Sequence, residues 1–174
     1  SFRSLAIDYD PLPYTQATVT AVSGDGNNCE YEVHAGYPDM AGAYRTTQVY
    51  LFDPRTWAWK RDAPDLYYRT NDAPAARRGK LVGLGKPWQA RPAIAPGDLL
   101  VFTTRRSHAI QFYNCGTVRV EDVVIYTAPS AGVLCRYMGG ENYFRYTIER
   151  GPRPAGATQE RLLATGADGF NYAV

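Results

Sequence analysis

The C-terminal part of this chain repeats itself every 23 residues. In VRVEDVVIYTAP (Val118–Pro129), a step of 23 carries Val120 to Tyr143, Val123 to Tyr146, Ile125 to Ile148 and Pro129 to Pro152. At the same step Ile110 meets Val133 and Phe112 meets Cys135. The N-terminal SFRSLAIDYDP carries the same pattern, Phe2, Leu5, Ile7 and Pro11 matching Val120, Val123, Ile125 and Pro129 at a single offset of 118. A period of this length without helical signal suits one coil of a right-handed parallel β-helix, whose inward residues stack at about 4.8 Å from coil to coil. Alternation then puts Val123 and Ile125 inside and leaves Val124 and Tyr126 outside. The alternative is a β-sandwich with evenly spaced strands, which has no reason to keep one step across several columns.

The offset of 118 exceeds one step by about 95 residues, which places an insertion after Pro11 that ends near Ser107. Strand-like runs inside it are Ala17–Val22, Cys29–Ala35, Thr46–Phe52, Lys80–Leu84 and Asp98–Thr104. They are separated by turn signals such as SGDGNN (Ser23–Asn28), Asp53-Pro54 and Pro96-Gly97-Asp98. Short strands joined by Gly- and Pro-rich loops read as a small antiparallel β-barrel or sandwich. The polar stretch Asp62–Arg78 reads as a long loop. A smaller insertion, Pro152–Glu160, separates Ala131-Gly132-Val133 from its counterpart Asp168-Gly169-Phe170, 37 residues on. The expected organisation is therefore all-β, with parallel β-helix coils over 1–14 and 107–174 and a barrel-like domain over 15–106. Some three incomplete coils with no capping element read as a piece of a larger β-helix.

Composition agrees with an all-β chain: 14 Tyr, 6 Phe and 3 Trp stand beside 16 Gly and 12 Pro. A net charge of +2, with 19 basic residues scattered against 17 acidic ones, gives no electrostatic case for nucleic acid or a membrane surface. No apolar run is long enough to span a bilayer, and no signal-peptide pattern opens the chain. Cys29, Cys115 and Cys135 have no metal-binding spacing; they read as three reduced, buried thiols, with one disulfide plus a free thiol as the alternative. No cofactor is expected, and no Asp cluster looks like a calcium loop. Oligomeric state is not legible.

With its coils, its insertion after FRSLAIDYDPLPYTQATVTAV, its return through PGDLLVFTTRRSHAIQFYNC and its final RLLATGADGFNYA, the sequence resembles the pectate-lyase-like β-helix superfamily of polysaccharide-active enzymes. Within it the chain is most similar to β-helix glycoside hydrolases with barrel insertions, of the α-1,3-galactosidase type (glycoside hydrolase family 110). The resemblance implies an oligosaccharide or polysaccharide substrate, an extracellular or periplasmic location, and a catalytic carboxylate at Asp168 in GADGF. An Asp-Gly turn between strands is the structural alternative for that residue. Glycosidic hydrolysis needs two carboxyl groups, about 5–5.5 Å apart for retention or 6.5–9.5 Å for inversion. Stepping back from Asp168 through the repeat gives Ala131 and then His108, so no second acid lies in that column.

His108 could hydrogen-bond a sugar hydroxyl or tune Asp168, or be an ordinary turn histidine. Arg136 and Arg145 could hold an acidic sugar, as a polysaccharide lyase requires, or be solvated outer-face arginines. A different class of function rests on aromatics. Trp57 and Trp59, spaced to face one side of a strand, together with Trp88 and Tyr67-Tyr68, could form a sugar-stacking platform in a non-catalytic carbohydrate-binding module. Core packing of the insertion is the competing role for each ring.

Overall fold

A computed structural model describes residues 1–40, 48–61, 63, 70–75, 77–84 and 94–173. The described chain is all-β, and no helix in it is long and apolar enough to cross a membrane. It divides into two compact units, Ser1–Pro13 with Arg105–Pro152 and Leu163–Val174, and Tyr14–Thr104 with Arg153–Leu162.

The first unit contains two three-stranded parallel sheets. One has the order β1 (Phe2–Ile7), β9 (Val118–Ile125), β11 (Asn142–Ile148); the other has β8 (Ile110–Tyr113), β10 (Val133–Arg136), β12 (Phe170–Ala173). Their registers follow the repeat. Phe2 sits opposite Val120 and Ile7 opposite Ile125. Val133 sits between Ile110 and Phe170, and Cys135 between Phe112 and Tyr172. A further parallel bridge joins Ala128 to Thr165. Ile110, Phe112, Val133 and Cys135 from one sheet and Val118, Val120, Val123 and Ile125 from the other share one apolar core. That burial is the main stabilising term available to strands so short.

One column departs from the constant step. Val120 pairs with Phe144 rather than Tyr143, and the 23-residue offset returns only at Tyr146 opposite Val123. The reason is an extra residue in β9, Asp122, which adopts a left-handed φ of 54° and bulges out of the ladder. Ser4, at the same register position in β1, has a φ of 51°. β11 lacks the bulge, so its first half is displaced by one residue and Phe144, not Tyr143, turns inward.

The second unit is a six-stranded antiparallel sheet ordered β4 (Gln48–Phe52), β7 (Leu99–Thr103), β2 (Tyr14–Val22), β3 (Asn28–Val33), β6 (Arg78–Val82), β5 (Thr70–Ala75). Five of these strands lie where strand-like runs were expected. β5 instead forms within the segment read as a long loop, because a neighbouring edge, β6, supplies the pairing that its own composition does not suggest. Register puts Thr15, Ala17, Val19, Cys29, Tyr31, Val33, Val49, Leu51, Leu81, Leu100 and Phe102 on one face, and all are buried. The opposite face carries Tyr50 and Phe52 at the β4 end and Glu30, Glu32, Arg78 and Lys80 at the β3–β6 end.

Arg153–Leu162, which takes in most of the insertion expected over Pro152–Glu160 and the first residues of the coil segment after it, groups with this second unit. Buried Gln16 holds it there: its amide donates to the Glu160 carbonyl (3.0 Å) and its side-chain oxygen accepts from the Leu162 N–H (2.6 Å). Tyr37 adds a bond to the Gln159 carbonyl at 3.0 Å. All three cysteines are free thiols; Cys29 and Cys135 are buried, while Cys115 is only partly covered.

Candidate functional site

Of the residues expected to act on a sugar, His108, Arg136 and Asp168 lie at or beside β8, β10 and β12, Arg145 lies on β11, and Trp57 and Trp59 lie in the second unit. In the first unit the parallel ladder brings His108, Ala131 and Asp168 into one column, just before β8, β10 and β12. Backbone bonds on both sides of Gly132 fix this alignment. Gly132 N–H donates to the Asp168 carbonyl (3.1 Å), Val133 N–H to the Gly169 carbonyl (3.0 Å) and Ile110 N–H to the Gly132 carbonyl (3.0 Å). Gly132 is required by packing: a Cβ there would stand 2.6 Å from Ile148 Cδ1 and 2.8 Å from the Gly169 oxygen.

Asp168 is exposed, and one carboxylate oxygen accepts from the Asn171 side-chain amide at 3.0 Å. His108 is half-buried. Its Nδ1 accepts the Ala131 N–H at 3.1 Å, and its carbonyl accepts the Tyr9 hydroxyl at 2.9 Å. Partial burial, and then the charge of Arg136, holds its pKa below the ordinary imidazole value. A neutral ring accepting at Nδ1 carries its proton on Nε2, which makes it a donor. Arg136 ends β10, opposite Tyr113 and Ala173, and is partly exposed. The ladder thus spaces an exposed acid and a neutral imidazole donor two strands apart, about 9.6 Å along the hydrogen-bonding direction. Asp168's neighbours in that column are Ala131 and His108, neither of which is a carboxylic acid.

In the second unit, Trp57 and Trp59 do not share a strand face. Asp53–Ala58 forms a hairpin turn: Asp53 N–H bonds to the Ala58 carbonyl and Trp57 N–H to the Asp53 carbonyl, both at 2.9 Å. Trp57 takes a left-handed φ of 57°, which ends the two-residue alternation on which the expectation rested. Trp59 resumes pairing opposite Phe52. Its indole stacks on Tyr50 (5.1 Å between centroids, 19° between planes) and meets Phe52 edge-on at 6.4 Å. Tyr50 is 5% exposed under this cover, whereas Trp59 keeps 58% of its surface in solvent. Trp88, Tyr67 and Tyr68 lie outside the described residues.

Sequence reasoning missed a cleft of about 520 Å³ on the outer face of β2, β3 and β6, whose lining includes Thr20, Glu30, Glu32, Arg78 and Lys80. Acid and base face each other across the strands, Glu30 opposite Lys80 and Glu32 opposite Arg78, the latter pair at 3.2 Å. The signal was present as alternation, CEYEV against RGK, but the pairing of two segments 46 residues apart cannot be read from either one. Among the described residues no group of three or more His, Cys, Asp or Glu is placed to hold a metal ion. Neither a protein-family model nor a curated protein matches this chain.

Proposed function

We propose that this chain belongs to a carbohydrate-active protein built on right-handed parallel β-helix coils with an inserted antiparallel β-barrel, and that it contributes to hydrolysis of a glycosidic bond. The observation that carries this reading is the exposed Asp168, fixed by Asn171 at the start of β12 in one ladder column with the neutral His108. In the proposed reaction Asp168 is one of two carboxyl groups. His108 donates from Nε2 to a sugar hydroxyl, and Arg136 favours a neutral His108. The second carboxyl comes from outside the His108–Ala131–Asp168 column, at the spacing that sets retention or inversion. The substrate is an oligosaccharide or polysaccharide encountered outside the cytoplasm. Replacement Asp168→Asn is expected to lower glycoside hydrolysis at least 1000-fold while leaving oligosaccharide binding within about threefold. Unchanged turnover in Asp168→Asn removes the residue from the mechanism.

A second reading, non-catalytic glycan binding, is favoured by one observation: the flat indole of Trp59 rests on Tyr50 and remains mostly solvent-accessible. An amphipathic ring held at a fixed tilt is a stacking surface for a sugar face at little entropic cost. Titrating the protein with oligosaccharides should shift its tryptophan emission, and Trp59→Ala should abolish that shift and weaken binding about tenfold. A shift that survives in Trp59→Ala excludes this indole as the platform.

A further inference from the structure

The structure gathers three arginines that are dispersed in the sequence around a single buried carboxylate. Glu121 on β9 lies between Arg3 on β1 and Arg145 on β11 in one register row, and Arg119 precedes it by two on its own strand. Glu121 is 8% exposed, so its charge is desolvated and needs close partners. Arg119 supplies a two-pronged pair, Nε to Oε2 at 2.8 Å and Nη2 to Oε1 at 2.9 Å. Arg3 adds Nε to Oε2 at 2.9 Å. The carboxylate is then satisfied, and the hydrogen bond from Arg119 keeps its pKa below the usual range. Arg145 instead turns to Asp122 (2.8 Å), staying 3.8 Å from Glu121.

Three guanidinium groups face two carboxylates, leaving one net positive charge. Their side chains are 52–59% exposed. Arg3 and Arg145, the outer two of the three, keep more than half of their side chains in solvent. The two arginines flank Glu121 on either side, about 9.6 Å apart by strand spacing. Beside them, the Tyr143 ring is 44% exposed and lies 4.9 Å from the Arg119 guanidinium. The arrangement combines an aromatic ring covered on one face by Arg119, solvent-exposed guanidinium groups and an excess of one positive charge.

We propose that this outward face of β1, β9 and β11 binds a saccharide bearing a singly charged anionic group, a sulfate ester or a carboxylate. The ring packs against Tyr143, and the anion pairs with the exposed guanidinium of Arg3 or of Arg145. This site is independent of both Asp168 and Trp59. Three polymers with one backbone test it: dextran, carboxymethyl-dextran and dextran sulfate, titrated against the whole chain by calorimetry at several salt concentrations. The expected result is binding of one or both charged polymers and none of dextran. The charged polymer that binds more tightly identifies the anion. The double variant Arg3→Ala/Arg145→Ala keeps the Arg119–Glu121 pair intact and should bind at least tenfold more weakly, with a shallower salt dependence. A control pair, Arg55→Ala/Arg106→Ala, removes the same charge from exposed positions elsewhere and should leave affinity within about twofold. Equal losses in both double variants, equal binding of neutral dextran, or no binding of either charged polymer would overturn the proposal.

Discussion

His34 shows how a single residue in this protein acquires a pH dependence. It follows β3, and its Nε2 lies 2.8 Å from the Thr18 hydroxyl. Its Nδ1 is buried and has no hydrogen-bond partner among the described residues. Burial, and then the charge of Arg77, depresses the imidazole pKa to about 4. In the unfolded chain the same group titrates near 6.5. Between those values the unfolded state binds the extra proton, so the stability present above pH 6.5 is progressively lost as pH falls toward 4. Between pH 6.5 and 5, where most carboxylates remain ionised, the loss should amount to about 1–2 kcal/mol after allowing for partial exposure. Thermal melts across that window should show a slope in the wild type that His34→Asn flattens; parallel slopes would dissociate His34 from the effect. Gly36, close by, is fixed for a simpler reason: its φ is +78°, and a Cβ there would lie 2.4 Å from the Ala157 nitrogen.

At the scale of elements, hydrogen bonds with no local signature decide what belongs with what. Arg153–Leu162 has loop composition and no strand pairing, yet Gln16 in β2 satisfies two of its backbone groups from a fully buried position. Gln16→Leu would fill the same space while stranding the Glu160 carbonyl and the Leu162 N–H, which costs about 2–4 kcal/mol in total. The denaturation midpoint should fall accordingly, and amide exchange at Leu162 should accelerate more than exchange in β2. Uniform acceleration would mean that Gln16 supports the strand rather than the segment. The turn at Asp53–Ala58 teaches the same lesson differently. Its Asp53 carboxylate accepts the Arg55 N–H at 2.7 Å, a bond that the Asp-Pro signal suggests. The left-handed Trp57 that follows has no comparable signal, so only one of the two expected indoles reaches a sheet face.

At the scale of the molecule, the repeat was legible because stacked parallel strands force like residues into one column. Phe2, Val120, Leu5, Val123, Ile7 and Ile125 could be paired from sequence since paired parallel strands direct the same face toward the core, although at the edge Phe2 stays 45% exposed. The interruption of the repeat likewise marked where the antiparallel strands lie. Asp168 and His108 could be placed in one column by the same arithmetic. What sequence periodicity did not determine was anything that depends on side chains meeting across strands. The bulge at Asp122, β5, the covering of Tyr50 by Trp59, and the pairing of Glu30 and Glu32 with bases on β6 all require the neighbouring strand to be known first. The cluster around Glu121 is the clearest case. Arg3 and Arg119 were only part of a scattered set of basic residues in the sequence, and Arg145 read as either an acidic-sugar contact or a solvated outer-face arginine. Their convergence follows from the register of three strands whose outward residues are under no burial constraint. Burial dictates the inward pattern and so leaves it in the sequence, whereas the outward chemistry is fixed only when the strands are laid side by side.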